Sequence, residues 1–206
     1  MFYETARNDH GLPHDPFKSC VVPRPIGWIT TIDTAGVLNL APFSYFNACG
    51  DHPPQVMYAP SGPHAAEGGA KDSLHNVQQT GEFVANLATW ELREAMRLSS
   101  SGVPSQVDEF ALTGLETEPA RLVRPPRVKG APIHLECRLH KVIELLADNP
   151  ERFRNWIVLG EVVGVHIDDA IITDGRVDQS KFRPIARLGY ADYTTVDSHF
   201  EMPFPD

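Results

Sequence analysis

"NWIVLGEVVGVHI", residues 155–167, decides what kind of fold this chain can adopt. β-branched and apolar residues fill it and favour an extended strand. Gly160 and Gly164 lie inside it, and interior glycines mark a strand that bends sharply or is closely approached. Glu161 and His166 interrupt the apolar run, which is too short for a membrane-spanning helix. Upstream, "IHLECRLHKVIEL", 133–145, alternates. Ile133, Leu135, Cys137 and Leu139 share one face; His134, Glu136, Arg138 and His140 share the other. The second set reads as a polar outer face, because strand rise separates His134 from His140 by about 20 Å, too far to ligate one ion. Long strands with interior glycines favour a closed barrel over a flat sheet.

The remaining segments fit that frame. "GWITTID", 27–33, is a strand, "DTAG" is turn chemistry, and "VLNLAPFSYFN", 37–47, is a second strand completing a hairpin. Pro42 cannot donate to a ladder, which predicts an edge or a bulge there. "QVMYAP" (55–60) and "EFVANLA" (82–88) are strands, with one more short strand near 185–188. Asp72 is expected to cap a helix over 73–80 that ends at Gly81. Thr89 or Glu91 opens another, carrying Leu92, Ala95, Met96 and Ser99 at helical spacing, and a helical turn is expected near "QVDEF". Regular βαβ alternation is absent, which argues against a doubly wound sheet. The expectation is an all-β fold with short helices in one domain, 1–206, with arms at 1–20 and 190–206.

Composition narrows the function. The 206 residues carry a formal charge of -9, which argues against nucleic acid as a partner. Three separated cysteines without a CxxC argue against a disulfide framework and suit a reducing compartment. The first ten residues lack the apolar run of a signal peptide. A cytoplasmic protein that does not engage membranes is expected. No G-x-S-x-G occurs, and Cys49 with His52 lacks a third, orienting group.

Against that acidic background "EGGAKDSLHN", 67–76, is an anion-binding pattern. Gly68 and Gly69 permit close backbone approach, Lys71 brings charge, Ser73 a hydroxyl, and a helix start adds free N–H groups. Taken alone, the same residues also suit a plain loop and a capped surface helix. The order is not that of a P-loop, and no G-x-G-x-x-G follows a strand. "NLAPFSYFN", 39–47, sets Ala41, Pro42 and Ser44 among aromatics. Small side chains leave backbone groups open to a planar polar ring. A bulged edge strand with packed aromatics would give the same pattern.

Taken in order, "RPIGWITT", "NLAPFSYFN…DHPP", "KDSLHN…GEFVANL", "DEFALTGL", "LECRL", "GEVVGVHI" and "RPIARLGYADY" resemble the flavin reductase-like family of FMN-binding split barrels. The likeness runs from about Asp15 to Tyr193. It implies a Greek-key split β-barrel, a homodimer, and FMN held without a covalent bond near the dimer interface, with FAD left open at the same site. It places Lys71, Asp72 and Ser73 at the flavin phosphate with the hydroxyls of Thr30 and Thr31. Ala41, Pro42, Phe43, Ser44 and Asn47 fall along the isoalloxazine edge, with Trp28 and Arg187 in matching motifs and Ser61 just after a strand that the ligand would pass.

The flavin carries the redox chemistry, so no side chain is assigned as catalytic. The implied activity is an oxidoreductase that takes a hydride transiently from NAD(P)H and passes electrons to a small molecule or a partner protein. One departure matters. Many related reductases carry Gly-Asp-His ahead of the last long strand, where this chain has Asn155 and Trp156. That departure favours the alternative, an FMN-binding electron carrier that does not oxidise NAD(P)H efficiently.

Overall fold

The computed structural model describes residues 1–147, 154–203 and 205. Seven strands of its main sheet position the site: β1 (Gly27–Ile32), β2 (Leu38–Phe43), β3 (Phe46–Asp51), β4 (Pro54–Tyr58), β5 (Glu82–Leu87), β6 (Ile133–Leu145) and β7 (Asn155–Ile167). Their order across the sheet is β2-β1-β5-β6-β7-β4-β3, antiparallel throughout. The two outermost strands, β2 and β3, are neighbours in sequence, joined only by Ser44 and Tyr45. Laid flat, a seven-stranded sheet would hold its edges roughly 29 Å apart. Phe43 and Phe46 can lie no more than about 10 Å apart along the chain. The sheet must therefore curl until its edges meet. The Phe46 ring of β3 in fact lies over Gly27 of β1, where an added Cβ would fall 2.4 Å from Cδ2. This is the split barrel, closed in shape but not by a hydrogen-bond ladder between β2 and β3.

The single strand expected over 37–47 is thus two, broken at Ser44–Tyr45 where the chain crosses the split. Pro42 sits on an edge strand opposite Trp28, as its missing donor requires. The final long strand has the expected bounds, and its glycines mark where the ladder slips. Register shifts fall between Leu159 and Gly160 and between Val162 and Gly164. Gly160 also makes room: a Cβ there would meet the Phe83 ring at 2.4 Å.

Two cores lie on opposite faces of β1. Ile29, Phe43, Val56, Tyr58, Phe83, Cys137 and Val158 fill the barrel together with Leu74 and Val77 of helix α1 (Asp72–Thr80). Trp28, Leu40, Met96, Phe110, Val128 and Ile185 form the other beneath helices α2 (Arg93–Leu98) and α3 (Glu109–Thr113). α2 begins later than Thr89 or Glu91, and α3 is the helical turn expected near "QVDEF", capped by Asp108.

The outer polar face expected on β6 holds at Arg138 and His140, which are exposed, and is corrected at the other two positions. His134 and Glu136 are buried. Glu136 accepts hydrogen bonds from the backbone N–H groups of Arg121 (2.8 Å) and Leu122 (2.6 Å) and pairs with His166 Nε2. These bonds hold its carboxyl below the usual range against the opposing effect of burial. His134 Nδ1 meets Asn86 Oδ1 at 2.8 Å, and burial pushes its imidazole down to about 4. The loop around residues 121–128 covers this face, and its backbone donors need those acceptors. Strand alternation alone does not reveal such a cover.

Gly160→Ala is expected to destabilise the chain by about 1–3 kcal/mol, because Phe83 and Cys137 must both shift to admit the methyl group. Urea unfolding measures it; an unchanged midpoint would show that Phe83 is not held against this glycine.

Candidate functional site

Helix α1 starts at the mouth of the barrel, and three contacts fix its first turns. Tyr58 Oη donates to the Ser73 carbonyl at 3.0 Å. Asn76 Nδ2 donates to Thr31 Oγ1 at 3.2 Å. Asp72 Oδ2 meets His64 Nε2 at 3.0 Å. His64 Nδ1 accepts the Glu67 N–H at 3.0 Å, so in the neutral ring the proton sits on Nε2, facing Asp72. Asp72 is therefore not the helix cap that its residue type suggests. Lys71 occupies that position and no side chain caps the helix. Asp72 turns outward because His64 gives it a partner on the 64–69 turn, where Gly68 and Gly69 take left-handed φ values of 72° and 75°.

The uncapped start has a consequence. The first bonded donors, Leu74 and His75, both reach the Lys71 carbonyl. The N–H groups of Asp72 and Ser73 have no protein partner among the described residues. Ser73 is 1% exposed and its Oγ is buried without a hydrogen bond. Lys71 lies 5.6 Å from the centre of the Phe43 ring and makes no ion pair among the described residues. Burial, and then the charge of Lys18, lower its pKa. An orphaned hydroxyl, two free N–H groups and an unneutralised ammonium gather at one helix start, an arrangement with the chemistry to hold an anion.

Ala41, Pro42 and Phe43 face the same cleft of about 180 Å³ as Lys71, Asp72 and Ser73. Ser44, Asn47 and Ser61 line a second, larger cleft of about 770 Å³ on the far side of the Phe43–Ser44 junction. Phe43 lines the first cleft and its chain neighbour Ser44 the second, so the two clefts adjoin. The outer edges of β2 and β3 pair with no strand among the described residues, which leaves backbone donors and acceptors open beyond the Leu40 N–H, held by a side chain.

Other expected residues lie elsewhere. Trp28 is fully buried and its Nε1 donates to Ser99 Oγ at 2.9 Å. Thr30 Oγ1 accepts from Asn86 Nδ2 at 2.9 Å. Thr31 donates to Asn39 Oδ1 at 3.3 Å, and Asn39 Nδ2 donates to Glu109 Oε1 at 3.1 Å. Thr31 thus belongs to a buried chain joining α1 to the wall of the first cleft. Arg187 lines neither cleft; it bonds Tyr193 Oη and the Tyr190 carbonyl.

Glu109 was not legible as a site residue. It is 5% exposed, lines the first cleft, and also accepts the Leu40 N–H at 3.0 Å. Burial, aided by the charge of Asp72, lifts its carboxyl to about 7 despite these bonds. "DEFALTGL" contains it, but nothing local says that α3 stands over β2. The same holds for His64 and for Ser99–Ser101, which complete the cleft.

Residues 19–186 match the model of the flavin reductase like domain. The chain belongs to the flavin reductase-like family. That membership makes it a flavin-related oxidoreductase in type. A curated relative, an uncharacterized protein of Aquifex aeolicus, is 38% identical over 170 residues, covering 82% of each chain. Nitrilotriacetate monooxygenase component B from Bacillus cereus superposes with a TM-score of 0.85 at 27% identity, covering 98% of each chain. The 2-nitrobenzoate 2-nitroreductase of Pseudomonas fluorescens gives 0.84 at 27%, covering 100% of this chain and 96% of that one. A solved structure with a split barrel domain, from Shewanella frigidimarina, shares the fold, with a TM-score of 0.82 at 23% identity, covering 100% of each chain.

The raised carboxyl makes a signed prediction. A carboxyl that ionises near 4.5 in the unfolded chain and near 7 in the fold costs stability as pH rises through that window. Between pH 5 and pH 8, Glu109→Gln should gain about 3 kcal/mol relative to the parent. Urea unfolding at both pH values measures the difference; a pH-independent difference would place Glu109 in an ordinary, solvated setting.

Proposed function

We propose that this family member is an FMN-dependent oxidoreductase whose cofactor spans both clefts across the Phe43–Ser44 junction. One observation carries this reading: the α1 cradle and the open β2 edge face a single cleft. The cradle of Lys71, Ser73 Oγ and the free N–H groups suits a phosphomonoester of about two negative charges. Asp72 stays turned toward His64, leaving those N–H groups to the anion. The edge at Ala41–Ser44, with Asn47 and Ser61, suits a planar ring whose rim carries donors and acceptors. Bound FMN supplies the two-electron chemistry; the chain's residues bind it, orient it and exclude water. A homodimer fits the exposed apolar residues along the second cleft, Phe17, Val21 and Leu146, which a partner subunit would cover. Light scattering that reports a monomer still holding FMN would contradict that assembly.

NAD(P)H is the donor in this reading, and a small molecule or a protein the acceptor. A specific observation favours the carrier alternative: Asn155 lines the second cleft at the start of β7, where an imidazole is absent from the described lining.

A two-part experiment separates the outcomes. Fluorescence titration with FMN should show Lys71→Ala weaker by about 1.5–3 kcal/mol, the scale of a hydrogen bond to a charged group. Equal affinity would remove Lys71 from the site, and no binding by the parent would remove FMN. The loaded protein is then mixed with NADH or NADPH under anaerobic conditions. Bleaching of the flavin band within seconds identifies the reductase; a persistent yellow colour identifies the carrier.

A further inference from the structure

Arg24 is a third cation at this junction, and its surroundings are incomplete. It is 6% exposed, in a two-residue strand that pairs with Ala186 and Arg187. Its Nη1 donates to the carbonyls of Lys18 and of Val21, the latter at 2.6 Å. Its Nε is buried with no partner, and it makes no ion pair among the described residues. A buried charge without a counter-charge is costly unless a ligand completes it. Arg24 lines the second cleft with Ser44, Tyr45 and Asn47, and its guanidinium carbon lies 6.0 Å from the centre of the Tyr45 ring. Among the described residues no carboxylate lines that cleft; Lys18 is its other charged side chain there, and Tyr45 its other titratable one.

We propose that Arg24 is the electrostatic tuning residue of the site: its charge faces the N1–C2=O side of the flavin pyrimidine ring and favours the reduced, N1-deprotonated cofactor. This rests on the FMN reading above and deepens it. The oxidised ring is neutral. Two electrons from the donor and one proton at N5 leave a negative charge spread over N1 and the C2 carbonyl. A second proton at N1 would remove that charge, and a buried guanidinium beside it opposes that protonation. Ser44 and Asn47 line the same cleft as Arg24, so a ring rim read by those two residues would lie beside its charge.

The test is the midpoint potential of bound FMN against pH, on the acid side of neutrality where free reduced flavin protonates at N1. The parent should take up one proton per two electrons. Arg24→Gln should lose about tenfold in affinity for reduced over oxidised FMN, a potential lower by about 30 mV, and its uptake should move toward two protons. Arg24→Lys keeps the charge without the two-carbonyl grip and should stay within about threefold of the parent ratio. If the Lys variant falls as far as the Gln variant, Arg24 only clamps residues 18–21 and the proposal fails. Two protons per two electrons in the parent overturns it without any variant. FMN bound at an unmoved potential in Arg24→Gln sinks this inference alone, whereas a parent that binds no FMN sinks the reading beneath it too.

Discussion

The covalent link across the split governs this structure. Ser44 and Tyr45 join the two outermost strands of a seven-stranded sheet, so the sheet has to curl. No ladder joins β2 and β3 among the described residues, although a two-residue connection is long enough for a hairpin. The barrel therefore closes in shape while keeping two unpaired backbone edges at its seam. Open edges are usually a liability, and proteins cover them. Here both lie beside clefts, where a flat ligand with a polar rim can satisfy the exposed groups.

A chain of packing contacts connects the barrel interior to the seam. Gly160 admits the Phe83 ring, which meets Tyr58 edge-on at 5.3 Å between centroids; Tyr58 in turn lies 5.1 Å from Phe43. The Tyr58 hydroxyl then holds the carbonyl of Ser73 at the start of α1. Electrostatics at the seam is local. In a chain of charge -9, Lys18, Arg24 and Lys71 gather around one junction without carboxylate partners among the described residues. Glu109 and Asp72 line the first cleft together with Lys71, so an anion there would meet carboxyl groups as well as the ammonium.

Much of this was legible in the residues. The glycines of β7, the Pro42 edge, the left-handed Gly81 stop and the placing of Lys71 and Ser73 at a helix start follow from local chemistry, and local chemistry survives folding. Misreadings arose where a distant segment supplied the partner. Asp72 looked like a cap until His64 took its carboxylate, and His134 with Glu136 looked solvent-facing until the 121–128 loop covered them. Thr30 and Thr31 hold bonds with Asn86, Asn39 and Asn76 that local sequence does not show. Glu109 and Arg24 sat in plain view inside quoted motifs. Their roles depend on burial beside a cleft, which one-dimensional spacing does not encode.

The central claim is that one FMN lies across the Phe43–Ser44 junction, with its phosphate at the tip of α1 and its ring along the open edge. A crystal structure of the protein grown with FMN tests it most directly. The account predicts phosphate oxygens within hydrogen-bond distance of Ser73 Oγ and the Ser73 N–H, and ring heteroatoms bonded to backbone groups between Ala41 and Asn47. Electron density that puts the phosphate away from α1, or the ring away from the β2–β3 seam, would contradict it.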